Sequence, residues 1–207
     1  MNINEEQDLF YANLGRCIAQ WSHVEDALYG VFSTAIAKPN EERQANLAVQ
    51  ASFYSVNLSE GKFNITNAAV RFRVIEGMTN ELTDPRRRLL GIWELLMKKA
   101  DKRRTKRNQI AHFQVLTDVH AAEGKRLALR PAIFNPNGIL RPSRPFHCAE
   151  LHAICRSFGR LGQDLSAFSY ALGLTFGQRA REDDYEEQWA GLTSRLSGRV
   201  YEGQASA

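Results

Sequence analysis

The sequence predicts an all-α fold: a bundle of about five helices with a short proline-rich β-hairpin or loop inserted at 124–147. Three observations carry that expectation. Apolar residues recur at steps of three and four over long stretches. Helix stop and start residues fall between those stretches. Proline and glycine gather in one segment near the middle of the chain.

The elements follow in order. Residues 6–37 read as a long helix, with Leu14, Ile18, Trp21, Val24, Leu28, Val31, Phe32 and Ala35 on one face. "KPN" at 38–40 stops it. Asn40 is placed to cap a second helix that begins "EERQ" and reaches about Tyr54, with Glu41 and Glu42 favourable in its first turn. A third helix spans roughly 58–76 and is ended by Gly77, although Asn64, Thr66 and Asn67 are poor helix formers. Asp84 and Pro85 make an N-cap and a first helical residue. The fourth helix then runs through Leu89, Leu90, Ile92, Trp93, Leu96 and Met97 towards residue 116. The insertion at 124–147 holds four of the six prolines and an "NPNG" turn, with "RLALRPAIF" and "GILRPS" as short extended pieces. A last helix covers 148–173. Leu151, Ile154, Phe158, Leu161, Leu165, Phe168 and Leu172 alternate in steps of three and four, beside a stripe of small residues at Cys155, Gly159, Gly162, Ser166, Ser169 and Gly173. Residues 1–175 are thus expected to form one helical domain. Residues 176–207 form a polar tail with one short amphipathic helix carried by Tyr185, Trp189, Leu192 and Leu196.

Composition sets the class of partner. Apolar residues are 43% and charged residues 24%, ordinary globular usage. The net charge of +4 hides a polarised distribution. Lys98 to Arg107 carries seven basic side chains against one acid, a net +6, with Arg86, Arg87 and Arg88 upstream. Acid gathers towards the ends, in Glu5, Glu6 and Asp8 and in "EDDYEE" at 182–187. A basic centre suits a polyanion such as RNA, DNA or acidic lipid, or else is a solvated lysine-arginine helix face. The acidic opening "MNINEEQDLF" does not read as a signal peptide, and no apolar run is long enough for a bilayer. With an odd count of three cysteines, a reduced cytoplasmic protein without membrane contact is expected.

The charge run ends in a distinct way. "KKADKRRTKRNQIAHF" at 98–113 passes from Arg107 through Asn108 to His112 and Phe113. On an ideal helix Asn108 and His112 lie about 40° apart, one turn removed. Arg107 lies about 140° from His112, so those two converge only where the helix bends or ends. His112 can serve as general acid or base, Asn108 can orient its ring, and Arg107 offers a planar fork for a phosphate. Such a set suits attack of a ribose 2′-hydroxyl on the adjacent phosphate, which needs no metal or other cofactor. Lys102, Arg103, Arg104 and Lys106 would steer the RNA backbone.

"RNQIAH" at 107–112 resembles the signature of the HEPN superfamily: an arginine, four to six residues, then a histidine, with a polar residue after the arginine. The preceding basic helix, "WSHVE" at 21–25 and the order of helices are also similar to bacterial members, over roughly residues 8–173. The resemblance implies a metal-independent endoribonuclease of the toxin or phage-defence type. It equally allows a non-catalytic helical dimer that binds nucleic acid or a protein partner, since some members have lost catalysis. An antitoxin or regulatory protein is an implied partner.

Three further readings remain. Glu25 shares the apolar face of the first helix, where a carboxylate is costly unless paired. It either holds Arg107 or hydrogen-bonds His112, or forms a structural pair with some other arginine, or sits at the edge of the stripe and reaches water. Cys148, His152 and Cys155 share a helix face at metal-ligand spacing but lack a fourth ligand, so no metal is assigned. One motif histidine per chain favours a homodimer, with the small-residue stripe at 155–173 or the motif helix as the contact surface.

Overall fold

The described helices follow the apolar spacing of the sequence. A computed structural model describes residues 2–36, 43–76, 85–131 and 144–176. Among these lie α1 (Ile3–Ile36), α2 (Arg43–Tyr54), α3 (Ser59–Glu76), α4 (Pro85–His112), β1 (Phe113–Thr117), β2 (Leu127–Pro131) and α5 (Cys148–Thr175). The fold is all-α with one small antiparallel hairpin. Asn40, Gly77, Asp84, "GILRPS", "EDDYEE" and the Tyr185–Leu196 stripe lie outside the described residues.

Two boundaries differ from expectation, each for a local reason. Helix α1 starts at Ile3 rather than 6, because Asn2 and Glu5 form a reciprocal capping box. The Asn2 side-chain oxygen accepts the Glu5 N–H, and a Glu5 carboxylate oxygen accepts the Asn2 N–H, both at 2.9 Å. Helix α4 stops at His112 rather than near 116. "FQVLT" is instead β1, paired with β2 so that Phe113 faces Pro131 and Thr117 faces Leu127. The strand pair therefore begins eleven residues before the expected insertion. Its return loop needs Gly124, whose φ of +78° is strained for any other side chain.

The described chain forms two compact units. The first comprises residues 1–23 and 101–160, the second residues 24–100 and 161–207. Helices α1, α4 and α5 contribute segments to both.

In the first unit, α1 and α5 run parallel. The Asn13 amide donates to Cys148 Sγ, the Cys17 thiol to the Leu151 carbonyl, and Trp21 meets Phe158 edge-on at 5.1 Å. Leu129 exchanges two backbone hydrogen bonds with Phe146, which fixes the approach to α5. Phe146 is buried and stacked on Phe113 at 5.8 Å. Glu6, also buried, accepts the Arg126 N–H at 2.8 Å and faces its guanidinium at 3.6 Å, so α1 is tied to the hairpin. The apolar face of α1 is corrected here: Cys17 is fully buried, whereas Ile18 is 59% exposed.

In the second unit, Trp93 is enclosed against Phe168 at 5.0 Å and donates its indole N–H to Asn67. Thr34 and Ser169 share a buried hydrogen bond. Buried Asp164 faces Lys99 at 3.7 Å.

The small-residue stripe of α5 has an internal use, contrary to its expected role as a dimer surface. A side chain at Gly159 would come within 2.9 Å of Gln20 Oε1, and Ser169 is 3.7 Å from the Cβ position of Gly30. Small residues thus let α1 lie close to α5 within each unit; Ser166 alone of the stripe is exposed.

Cys17 illustrates the density of this contact. Burial, and secondarily the neighbouring Cys155, push its thiol up to about 12 from 9.0. The fold thus holds a proton that the unfolded chain releases near 9.0. This contribution to stability is complete below about pH 9 and declines as pH rises through about 12. Iodoacetamide at pH 8 should modify the half-buried Cys148 and Cys155 in the native protein and spare Cys17 until denaturant is added. Mass analysis of the alkylated peptides checks this; rapid native labelling of Cys17 would contradict the packing described.

Candidate functional site

The motif residues occupy the last two turns of α4, inside the first unit. Ile110 faces the core and anchors this end of the helix. Asn108 and His112 are exposed, and Arg107 is half-buried. Helix α4 ends at His112. Arg107 Nη1 donates to Asn108 Oδ1 at 3.3 Å.

Asn108 therefore meets Arg107 rather than the imidazole. Its carbonyl oxygen is engaged by the guanidinium, and among the described residues no hydrogen bond reaches the His112 ring. The hydrogen bond from Asn108 to the histidine that the sequence suggested is not made; Asn108 meets Arg107 instead.

The basic residues divide into two kinds. Lys102 and Lys106 are exposed, and the Lys106 ammonium lies 4.8 Å from the Phe146 ring centre. Arg103 donates from Nε to the Ser157 carbonyl at 2.9 Å, joining α4 to α5. Arg104 pairs with Asp101 at 2.7 Å. Of the four expected RNA-steering side chains, Arg103 is thus held by a contact to another helix and Arg104 by a local pair on its own helix. On the reading that the chain binds RNA, neutralising Lys102 and Lys106 should flatten the salt dependence of that binding by about one to two units of slope, whereas Arg103→Ala should chiefly lower stability. Filter binding across a salt series checks this; an unchanged slope in the double lysine variant would remove them from the interface.

Glu25 lies in the second unit. Its carboxylate accepts from the Ser59 hydroxyl and from the Lys62 ammonium, the latter at 2.6 Å. Lys62 is buried and also lies over the Phe53 and Tyr54 rings. The structure thus gives Glu25 an ion pair, with Lys62 and not with an arginine. The pair joins α1 to α3.

The aromatic neighbourhood of His112 escapes the sequence. Phe113 follows the histidine and stacks on Phe146, 33 positions later, with Lys106 on Phe146. Only the pairing of Leu129 with Phe146 brings them together. His147, beside the possible metal ligands, instead has Nδ1 3.1 Å from the Leu127 carbonyl. Among the described residues no group of three or more His, Cys, Asp or Glu is arranged to hold a metal, and no helix is long and apolar enough to cross a membrane.

Comparison with protein-family models found no matching family, and no curated protein or solved structure matches the chain.

Proposed function

We propose that the chain is a metal-independent endoribonuclease of the HEPN kind. The observation that supports this reading is the exposure of Asn108 and His112 one turn apart at the end of a basic helix, with Arg107 drawn to Asn108. Side chains that served only packing would be covered. His112 takes the proton of a ribose 2′-hydroxyl. The oxygen attacks the adjacent phosphorus, and the bond to the 5′-oxygen breaks. The leaving oxygen takes a proton from water or from the histidine of a second copy. Arg107 carries the developing charge on the phosphoryl oxygens through its fork. Lys102 and Lys106 attract the backbone from outside.

The products follow from the bonds. One fragment ends in a 2′,3′-cyclic phosphate and the other in a 5′-hydroxyl. Purified protein incubated with total RNA in excess EDTA should yield 5′-hydroxyl ends that a polynucleotide kinase labels without prior phosphatase treatment. Cleavage that demands magnesium, or binding without any cleavage, would return the protein to the alternative of a nucleic-acid or protein-binding module.

A further inference from the structure

Phe113 follows the motif histidine directly and opens β1. Strand alternation puts it on the half-buried face with Val115, away from exposed Gln114. Its ring stacks on Phe146 at 5.8 Å, with 19° between the planes. The two rings are unequal: Phe146 is 4% exposed, whereas Phe113 is half-buried. Phe113 is therefore the outer ring of the pair, and its exposed surface is turned away from Phe146. Backbone pairing holds both rings in place. Phe113 lies opposite Pro131, and Phe146 exchanges hydrogen bonds with Leu129, two residues before Pro131. Lys106, exposed on α4, brings its ammonium to 4.8 Å from the centre of the inner ring. All these residues lie in the first unit with His112.

We propose that Phe113 is the platform on which RNA stacks the base of the nucleotide whose 2′-hydroxyl meets His112. The inference rests on the reading of 107–112 as a site of RNA cleavage, and adds the residue that positions the attacking nucleotide. Consecutive Cα atoms are about 3.8 Å apart, so imidazole and ring spring from neighbouring points, as the ribose and base of one nucleotide do. Aromatic rings beside basic side chains are a usual means of holding bases, because every base has a π-face. Lys106 then meets the phosphate of the stacked nucleotide. An apolar side chain of a protein partner, set on Phe113, would strip water from the Lys106 ammonium and the imidazole without giving either a hydrogen bond, which is costly. A base that arrives with its ribose and phosphate supplies partners for both. Because the two rings are already fixed by the hairpin, little ordering is lost when a third is added. Holding the base also holds the ribose, so the hydroxyl stays near the group that takes its proton.

The binding probe is a short 2′-fluoro oligoadenylate, which lacks the attacking hydroxyl, set against the same backbone with abasic positions. By fluorescence polarisation the full chain should bind the base-bearing strand roughly five- to a hundredfold more tightly, the worth of one stacked base. Phe113→Leu keeps an apolar contact with Phe146 but offers no flat face. It should lose that preference and bind the abasic strand as the unaltered chain does, whereas Phe113→Trp should keep it. A 5-iodouracil base in the strand should photo-crosslink to Phe113 of the unaltered chain, a readout that stands even where the leucine variant folds poorly. Strands with a single ribonucleotide then assign the position: removing the base of that nucleotide should slow cleavage, and removing a more distant base should not. Equal binding of the two strands by the unaltered chain overturns the proposal. A leucine variant that weakens both strands alike does so too, since that is a structural loss, as does a crosslink that maps elsewhere. Base preference and a crosslink at Phe113 without cleavage of ordinary RNA would count against the proposed chemistry and leave the platform standing. Cleavage that ignores the base of the attacking nucleotide would do the reverse.

Discussion

His112→Ala should slow RNA cleavage by about 10²–10⁴-fold, the usual contribution of a general acid or base. Folding should be unaffected, because the imidazole is exposed at the end of α4 and Ile110 supplies the local anchor. Arg107→Lys should be severely impaired too. It keeps the charge but loses the planar fork, and with it the hydrogen bond that the guanidinium donates to Asn108. Asn108→Ala should have a smaller effect that resembles a partial loss of Arg107. RNA binding should persist in all three variants while Lys102 and Lys106 remain. The measurement is single-turnover cleavage of an end-labelled oligonucleotide beside melting curves. Undiminished cleavage by His112→Ala would show that this histidine is not the catalyst.

Glu25→Leu should be the most damaging single change on the α1–α3 contact. It leaves the buried Lys62 ammonium without its carboxylate, which costs about 3 kcal/mol, the low end for breaking a buried pair because neither side chain is wholly enclosed. For a chain of this size that is a fall in melting temperature of roughly 6–12 °C. The double change Glu25→Leu/Lys62→Met should recover most of the loss, since replacing both ions by apolar groups removes the unpaired charge. Cleavage per folded molecule should be unchanged in either case. A variant that melts normally but cleaves poorly would give Glu25 a part in the reaction instead.

Much of this was legible in the chain. Apolar spacing locates the body of every described helix, because amphipathic periodicity is a local property that needs no tertiary partner. Where expectation slipped, a partner decided. Asn64, Thr66 and Asn67 weaken α3 as an isolated helix, yet Asn67 holds the Trp93 indole and Thr66 is buried. Phe113 to Thr117 could have extended α4, and became a strand because Leu127 to Pro131 pairs with it. Cys17 and Ile18 sit side by side, and a wheel drawn through Ile18 misplaces the core by one residue.

The sequence by itself determined the helical class, the basic run and the Arg107–His112 spacing, because composition and periodicity are carried along the chain. Only the tertiary structure decided which charges are free to meet a ligand. Arg103 looks the same as Lys102 and Lys106 in the sequence, yet it is bound to the Ser157 carbonyl of α5, whereas the pairing of Arg104 with Asp101, three residues earlier on the same helix, is local. Glu25, read as a possible partner of the motif, is met by Lys62 from a helix that begins 34 positions later. An ion pair or a stacked ring depends on distance in space, and distance in space is settled only when the helices pack.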